Sequence, residues 1–317
     1  MPASAAETTA RRRDGTALAA FVVGTVLAGG NAVGVRVSNR ELDPLWGAGL
    51  RFLLAAALLG VVMAAMRLTI PRDRALLGVL VYGALIFGGA FSFAYYALVR
   101  IHAGLGQTLL ALVPLATLLL AVAQRQERLR LAALVGTFLS VAGIGVISGV
   151  AGTEAVPVLS LLAVLGAVLC FAEATVLVRR FPPVHPVTVN ALGMAVGAVI
   201  LVFLSLVLRE SIVLPEDDAT WLALAYMVVL GSGPVFVLYV VVVRLWSASR
   251  AAYTFVLIPI VTVILSAWID DEPIGAGLVL GGLLVLAGVY VGALRPSEGG
   301  RRSPASGASP VRGSARR

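Results

Sequence analysis

Residues 93–129, FAYYALVRIHAGLGQTLLALVPLATLLLAVAQRQERL, have a counterpart at residues 238–274, LYVVVVRLWSASRAAYTFVLIPIVTVILSAWIDDEPI. Slid along itself by about 144 residues, the chain pairs Tyr95 with Tyr239, Arg100 with Arg244, Pro114 with Pro259, Thr117 with Thr262 and Glu127 with Glu272. Each copy reads as an aromatic helix, a small-residue turn and a proline-containing apolar helix closed by a glutamate. The closing loops differ in charge: RQERLR at 125–130 is basic, whereas DDEP at 270–273 is acidic. Basic loops resist translocation across a membrane. The two copies should therefore enter a bilayer from opposite sides.

The repeat extends outward in both directions. Gly24 pairs with Gly166, Leu27 with Leu169, Asn31 with Glu173 and Pro44 with Pro186, and beyond the quoted stretch Gly136 pairs with Gly281 and Gly143 with Gly288. Of 317 residues, 60% are hydrophobic and only 13% charged, and the mean hydropathy is +1.00. A water-soluble domain carries about 25% charged residues, so the solvent of this chain is lipid. A bilayer core needs about 20 apolar helical residues, and ten such runs are present: 16–37, 45–66, 75–98, 102–123, 131–150, 157–178, 187–208, 220–243, 248–268 and 274–294. An odd number in each half again requires that the second half lie upside down. The expected fold is an all-α integral membrane protein of ten transmembrane helices in two inverted five-helix repeats, 16–150 and 157–294. A cytoplasmic tail, 1–15, precedes them, and a disordered basic tail, 295–317, follows. Inverted repeats are an architecture of secondary transporters, with a site near the midplane between halves that rock against each other.

The net charge is +8, and all 24 basic residues are arginine. With the N-terminus inside, the cytoplasmic segments carry Arg11–Arg13, Arg67, Arg72, Arg74, Arg125, Arg128, Arg130, Arg179, Arg180, Arg244, Arg250 and every arginine from Arg295 onward. The opposite side holds only Arg40, Arg100 and Arg209 among many carboxylates. Both termini are expected in the cytoplasm, in a bacterial plasma membrane. Topology signals and anionic lipid headgroups explain the basic charge, so nucleic acid is not an expected partner. The single cysteine, Cys170, forms no internal disulfide, and no metal-ligand spacing occurs. No cofactor is expected. An enzyme is not expected either: there is no zinc-type HExxH, no phosphate-binding P-loop and no paired intramembrane aspartate, and His185 falls in a loop.

The paired stretches, together with Asn31 in the first span and Arg51 in the second, resemble the drug/metabolite transporter superfamily, in its EamA-type ten-helix permeases. The resemblance covers about 16–294. One departure is LAGGN at 27–31, which lacks the tryptophan usual before this asparagine. The resemblance implies efflux or exchange of small organic metabolites such as amino acids. The alternative is a passive channel or lipid scramblase.

The candidate site residues are polar groups at membrane depth. Glu173 is the carboxylate within the sixth span. Such a charge is costly there unless it faces a cavity, finds a partner or is protonated. It is a candidate proton carrier or substrate-amine ligand opposite its mate Asn31, or else a structural partner of Arg180. Arg51 is read as a group holding loop carbonyls, acidic loops or an anionic substrate. Pro114 and Pro259, in equivalent helices, are candidate gates because proline frees a carbonyl and kinks a helix. Around them stand Gln107, Thr108, Tyr253 and Thr254, with Phe91, Tyr95, Tyr96 and Tyr239 on neighbouring spans as an aromatic wall for a small amphipathic solute. Gly145 and Gly149, Gly277 and Gly281, and Gly288 and Gly292 have the spacing for close helix contact. The fifth and tenth spans are therefore expected to be scaffolds, in a monomer or a homodimer. The partners expected are a small solute, a proton as coupling ion, and membrane lipids.

Overall fold

The computed structural model describes residues 5–98, 109–148, 157–269 and 276–294, and among these every regular element is helical. In chain order they are α1 (Ala5–Ser38), α2 (Pro44–Ala65), α3 (Asp73–Gly83), a π-helical stretch (Ala84–Ala90), α4 (Phe91–Leu98), α5 (Val113–Ala123), α6 (Leu131–Ser148), α7 (Val158–Arg180), α8 (Pro186–Val207), α9 (Asp218–Val229), α10 (Gly233–Leu245), α11 (Ala248–Ala251), α12 (Thr254–Ile269), α13 (Ala276–Val289) and a second π-helical stretch (Tyr290–Leu294). Residues 5–15, expected as a tail, continue the first helix. The tail expected at 295–317 lies outside the described residues.

Among the described residues, six helices are long and apolar enough to cross a membrane: Arg13–Val35, Pro44–Ala65, Asp73–Ala97, Val158–Arg180, Pro186–Val207 and Asp218–Leu245. Four shorter apolar helical stretches accompany them: Val113–Ala123, Leu131–Val146, Ala248–Thr262 and Val279–Ala293. Outward-facing Leu53, Val61, Phe138, Val199, Phe203 and Leu222 are all more than half exposed. Such a surface is a liability in water and suits contact with lipid.

Helix α1 packs on α10 and α12, whereas α7 packs on α3, α4 and α5. Helix α2 lies against α8, and α6 against α13. The last contact depends on glycine. A Cβ on Gly288 would stand 2.5 Å from the Gly136 carbonyl oxygen, and one on Gly143 2.6 Å from that of Gly281. Gly136 and Gly143 thus make the contact on α6, while Gly145, expected from its spacing, has nothing within 4 Å.

Three helices end in the same way. Arg67, Arg125 and Arg209 follow α2, α5 and α8 in the left-handed region, with φ of 53, 58 and 59°. Each time the arginine N–H and the next N–H return to carbonyls of the last turn, as Arg125 to Val122 (3.0 Å) and Gln126 to Ala121 (2.8 Å). This is the helix stop that glycine normally provides.

Candidate functional site

A cavity of about 190 Å³ lies between α1, α2, α4, α7, α10 and α12. An apolar cavity of about 150 Å³ holds benzene, so this one is sized for a small organic molecule. Phe91, Phe171, Phe236, Tyr239 and Phe255 form its wall. The rings lock together edge to face or tilted: Phe91–Phe171 at 5.8 Å, Phe171–Phe255 at 4.7 Å and Tyr239–Phe255 at 5.6 Å between centroids. The Tyr239 hydroxyl is fixed by Thr175 Oγ1 at 2.6 Å.

The polar end of the cavity is built on a broken helix. The apolar segment Asp218–Leu245 is interrupted where α9 stops at Val229 and α10 restarts at Gly233. A break leaves backbone groups unpaired, which at membrane depth must be satisfied by protein, water or ligand. Here the Gly231 carbonyl accepts from Asn31 Nδ2 (2.8 Å) and from Arg51 Nη2 (3.2 Å). Arg51 also donates through Nε to Ser232 Oγ (2.8 Å) and through Nη1 to the Met227 sulfur (3.7 Å). Tyr226, in the last turn of α9, donates its hydroxyl to the Leu27 carbonyl (3.0 Å). Glycine at 231 makes room for the Asn31 amide, since a Cβ there would stand 1.7 Å from Asn31 Oδ1.

Arg51 is only 3% exposed, and among the described residues no carboxylate lies within ion-pair distance of it. Burying an ion costs several kcal/mol, about 3 or more, and hydrogen bonds to a charged group return about 1.5 to 3 each. The three donations thus hold the guanidinium in place without cancelling its charge.

The expected site residues separate into three groups. Asn31, Arg51, Tyr239 and Thr254 line the cavity together. Glu173 does not, and it pairs neither with Asn31 nor with Arg180, which is exposed. Its two carboxylate oxygens accept from Gln124 Nε2, both at 2.8 Å. Tyr253 is turned away as well, its hydroxyl donating to the Ala133 carbonyl (2.9 Å) and paired with Thr137 (3.1 Å), so it fastens α6. Tyr95 is not in the lining either, and its ring lies 6.3 Å from that of Phe91. Gln107 and Thr108 lie outside the described residues.

The prolines differ from each other. Pro259 is inside α12, where it leaves the carbonyl of Phe255, a cavity residue, without its helical donor. Pro114, expected inside a helix, is instead in the first turn of α5. The chain turns at Ala111–Leu112 just before it. A first-turn N–H has no helical partner in any case, so proline removes nothing there.

Phe21, Phe171, Phe236 and Phe255 of the cavity lining, and Gln124 beside Glu173, were not anticipated from the sequence. Gln124 had a signal, since it is a polar residue closing an apolar run. The phenylalanines had none.

Both ends of the bundle are tied across the repeat. At the arginine-rich end Glu127 accepts from the backbone N–H and the hydroxyl of Ser249 (3.1 and 2.5 Å), and the Arg250 guanidinium lies 4.5 Å from the Trp246 ring centre. Phe21, in the cavity lining, lies tilted against Trp246 with ring centres 5.4 Å apart. At the acidic end Glu210 accepts from the first-turn N–H groups of Leu45 and Trp46 (3.2 and 2.8 Å), and Asp43 from Ser211 N–H (2.7 Å).

A helical bundle with a lipid-compatible surface, a helix broken at depth and a small aromatic cavity is the build of a membrane carrier. The EamA-like transporter family model matches residues 15–149 and again 158–293, and the chain belongs to that family. It is therefore a multi-pass membrane transporter of small molecules. One crystal structure of a protein, 21% identical, shares the fold with a TM-score of 0.77 over 88% of this chain and 97% of that one. No curated protein sequence matches.

Proposed function

We propose that the protein is a secondary transporter that exports or exchanges small organic metabolites, amino acids among them, by alternating access between two inverted five-helix halves. In this reading the chain crosses a bacterial plasma membrane ten times, with both termini in the cytoplasm and the arginine-rich end facing inward.

The observation that carries the reading is the exchange of packing partners. Under the repeat, α1 corresponds to α7, and the third and fourth spans to the eighth and ninth. The first helix packs on α10 and α12, of the other half, and α7 packs on α3, α4 and α5, again of the other half. Each half thus embraces the leading helix of its partner, and the cavity lies where the halves meet. Rocking one half against the other would expose it to each side in turn. The ties through Glu127 at one end and Glu210 at the other are then the contacts to be broken alternately.

Glu173 is proposed as the proton carrier. Its partner Gln124 presents an N–H to the ionised carboxylate and keeps a buried Oε1 without a donor. A protonated Glu173 would supply that donor, so the pair suits either protonation state.

The test is counterflow in proteoliposomes preloaded with single unlabelled metabolites. A carrier gives a transient overshoot of the labelled solute, and a pore gives none. Glu173→Gln should keep the exchange and lose proton-driven accumulation. Undiminished uphill transport in the variant would remove the proton role.

A further inference from the structure

Resting on the transporter reading, we infer that the cavity is an anion site: the solute carries a negatively charged group, a carboxylate or its chemical equivalent, and Arg51 is the contact that selects for it.

Three observations converge. The first is the guanidinium itself, which is 3% exposed yet lines the cavity. A guanidinium has five N–H groups. Three of them go to Ser232, Met227 and Gly231, which leaves one on each terminal nitrogen. Those two remain to donate to an anion, and guanidinium N–H groups bond strongly to a carboxylate. The second is the charge of the lining: among the described residues no acidic side chain is in it, and Glu173, in the sixth span, is held by Gln124 elsewhere. Glu210, bound to the N–H groups of Leu45 and Trp46, is five to six residues from Arg51 along α2, roughly 8 Å of rise. The third is the break between α9 and α10. Helix α10 begins at Gly233 with no side-chain cap, and its first-turn residues Val235 and Phe236 line the same cavity. The N-terminus of a broken helix is electropositive and receives anionic substrate groups.

Asn31 adds a further requirement. Its Nδ2 is spent on Gly231, while Oδ1 is buried without a donor. A solute with an N–H or O–H near its anionic group would meet both needs, and its apolar remainder would lie on the phenylalanine wall. An organic cation would meet a like charge and no carboxylate. The rings do offer cation–π attraction, but a cation held there would stand in the same cavity as the buried Arg51 charge.

The experiment compares two ring compounds of fixed and opposite charge, benzenesulfonate and benzyltrimethylammonium, by equilibrium dialysis against the full-length protein in zwitterionic lipid nanodiscs. The expected result is saturable binding of benzenesulfonate, at least tenfold tighter than that of the cation. Arg51→Gln should lose at least tenfold in benzenesulfonate binding, Arg51→Lys should keep the preference for the anion, and Arg72→Gln with Arg74→Gln, at two exposed arginines, should change nothing. Equal or tighter binding of the cation to the wild-type protein overturns the inference even if Arg51→Gln does not fold. Loss of anion binding in the Arg72 and Arg74 variants, or no binding of benzenesulfonate at all, overturns it too. The two readings fail separately. Counterflow of an organic cation would leave the carrier standing without the anion site, and benzenesulfonate binding without counterflow of any solute would do the reverse.

Discussion

Gly231→Ala probes the break between α9 and α10 at its tightest point. The added methyl would stand 1.7 Å from Asn31 Oδ1, 2.7 Å from its Cγ and 3.1 Å from its Nδ2. The Asn31 amide must therefore swing away, abandoning its 2.8 Å bond to the Gly231 carbonyl. The lost hydrogen bond is worth about 1 kcal/mol, and forcing a methyl into a packed site adds about 1 to 2 more. The variant should thus be less stable by about 2 to 3 kcal/mol, and its folded-to-unfolded ratio lower by roughly 30- to 150-fold at tenfold per 1.4 kcal/mol. Asn31→Ala alone should cost about 1 kcal/mol. Because it also removes the obstructing atoms, the double variant should cost little more, which gives a coupling energy of at least about 1 kcal/mol. Reversible unfolding in mixed micelles, followed by tryptophan fluorescence, measures all three variants. If Gly231→Ala is within about 0.5 kcal/mol of wild type, or if the single costs simply add, the reasoning is refuted.

Other substitutions separate the roles of similar residues. Pro259→Ala restores a donor to the Phe255 carbonyl inside α12 and should slow turnover in counterflow, whereas Pro114→Ala, in the first turn of α5, should leave turnover near wild type. Gly288→Ala presses a methyl to 2.3 Å from Ser140 Oγ and 2.5 Å from a backbone oxygen, and should lower the melting temperature and the folded yield. Gly145→Ala has open space and should raise stability by up to about 1 kcal/mol. Arg209→Gly relieves a left-handed residue at φ 59° and should stabilise by about 1 kcal/mol, read from the same unfolding curves.

The two halves could be read from the sequence because apolar runs, prolines and glycines recur at matched spacing, and those features set helix length and helix breaks directly. Asn31, Arg51, Tyr239 and Thr254 were legible for a related reason: a polar residue in an apolar helix has to face protein or water, so its place inside the bundle follows from its type. The wall was not legible. In a helix that is apolar all round, no periodicity distinguishes a phenylalanine facing lipid, such as Phe203, from one facing the cavity, such as Phe171. Glu173 shows the same limit in another form. Sequence gives its depth, but its direction depends on helix rotation, and it turns to Gln124 rather than toward Asn31. Gly231 reads as one glycine among 34, and the break it permits becomes visible only when Asn31 and Arg51 arrive from other helices.

Alternating access itself is tested most directly by a single cysteine at Ala28, in the cavity lining, in a Cys170→Ser background that removes the one native thiol. Vesicles of both orientations are treated with a membrane-impermeant thiol reagent while a transported solute is placed on one side or the other. A carrier of two rocking halves predicts reciprocal labelling, in which the rate from one face falls as the rate from the other rises. Equal labelling from both faces, unchanged by the solute gradient, would show an open path and contradict the mechanism.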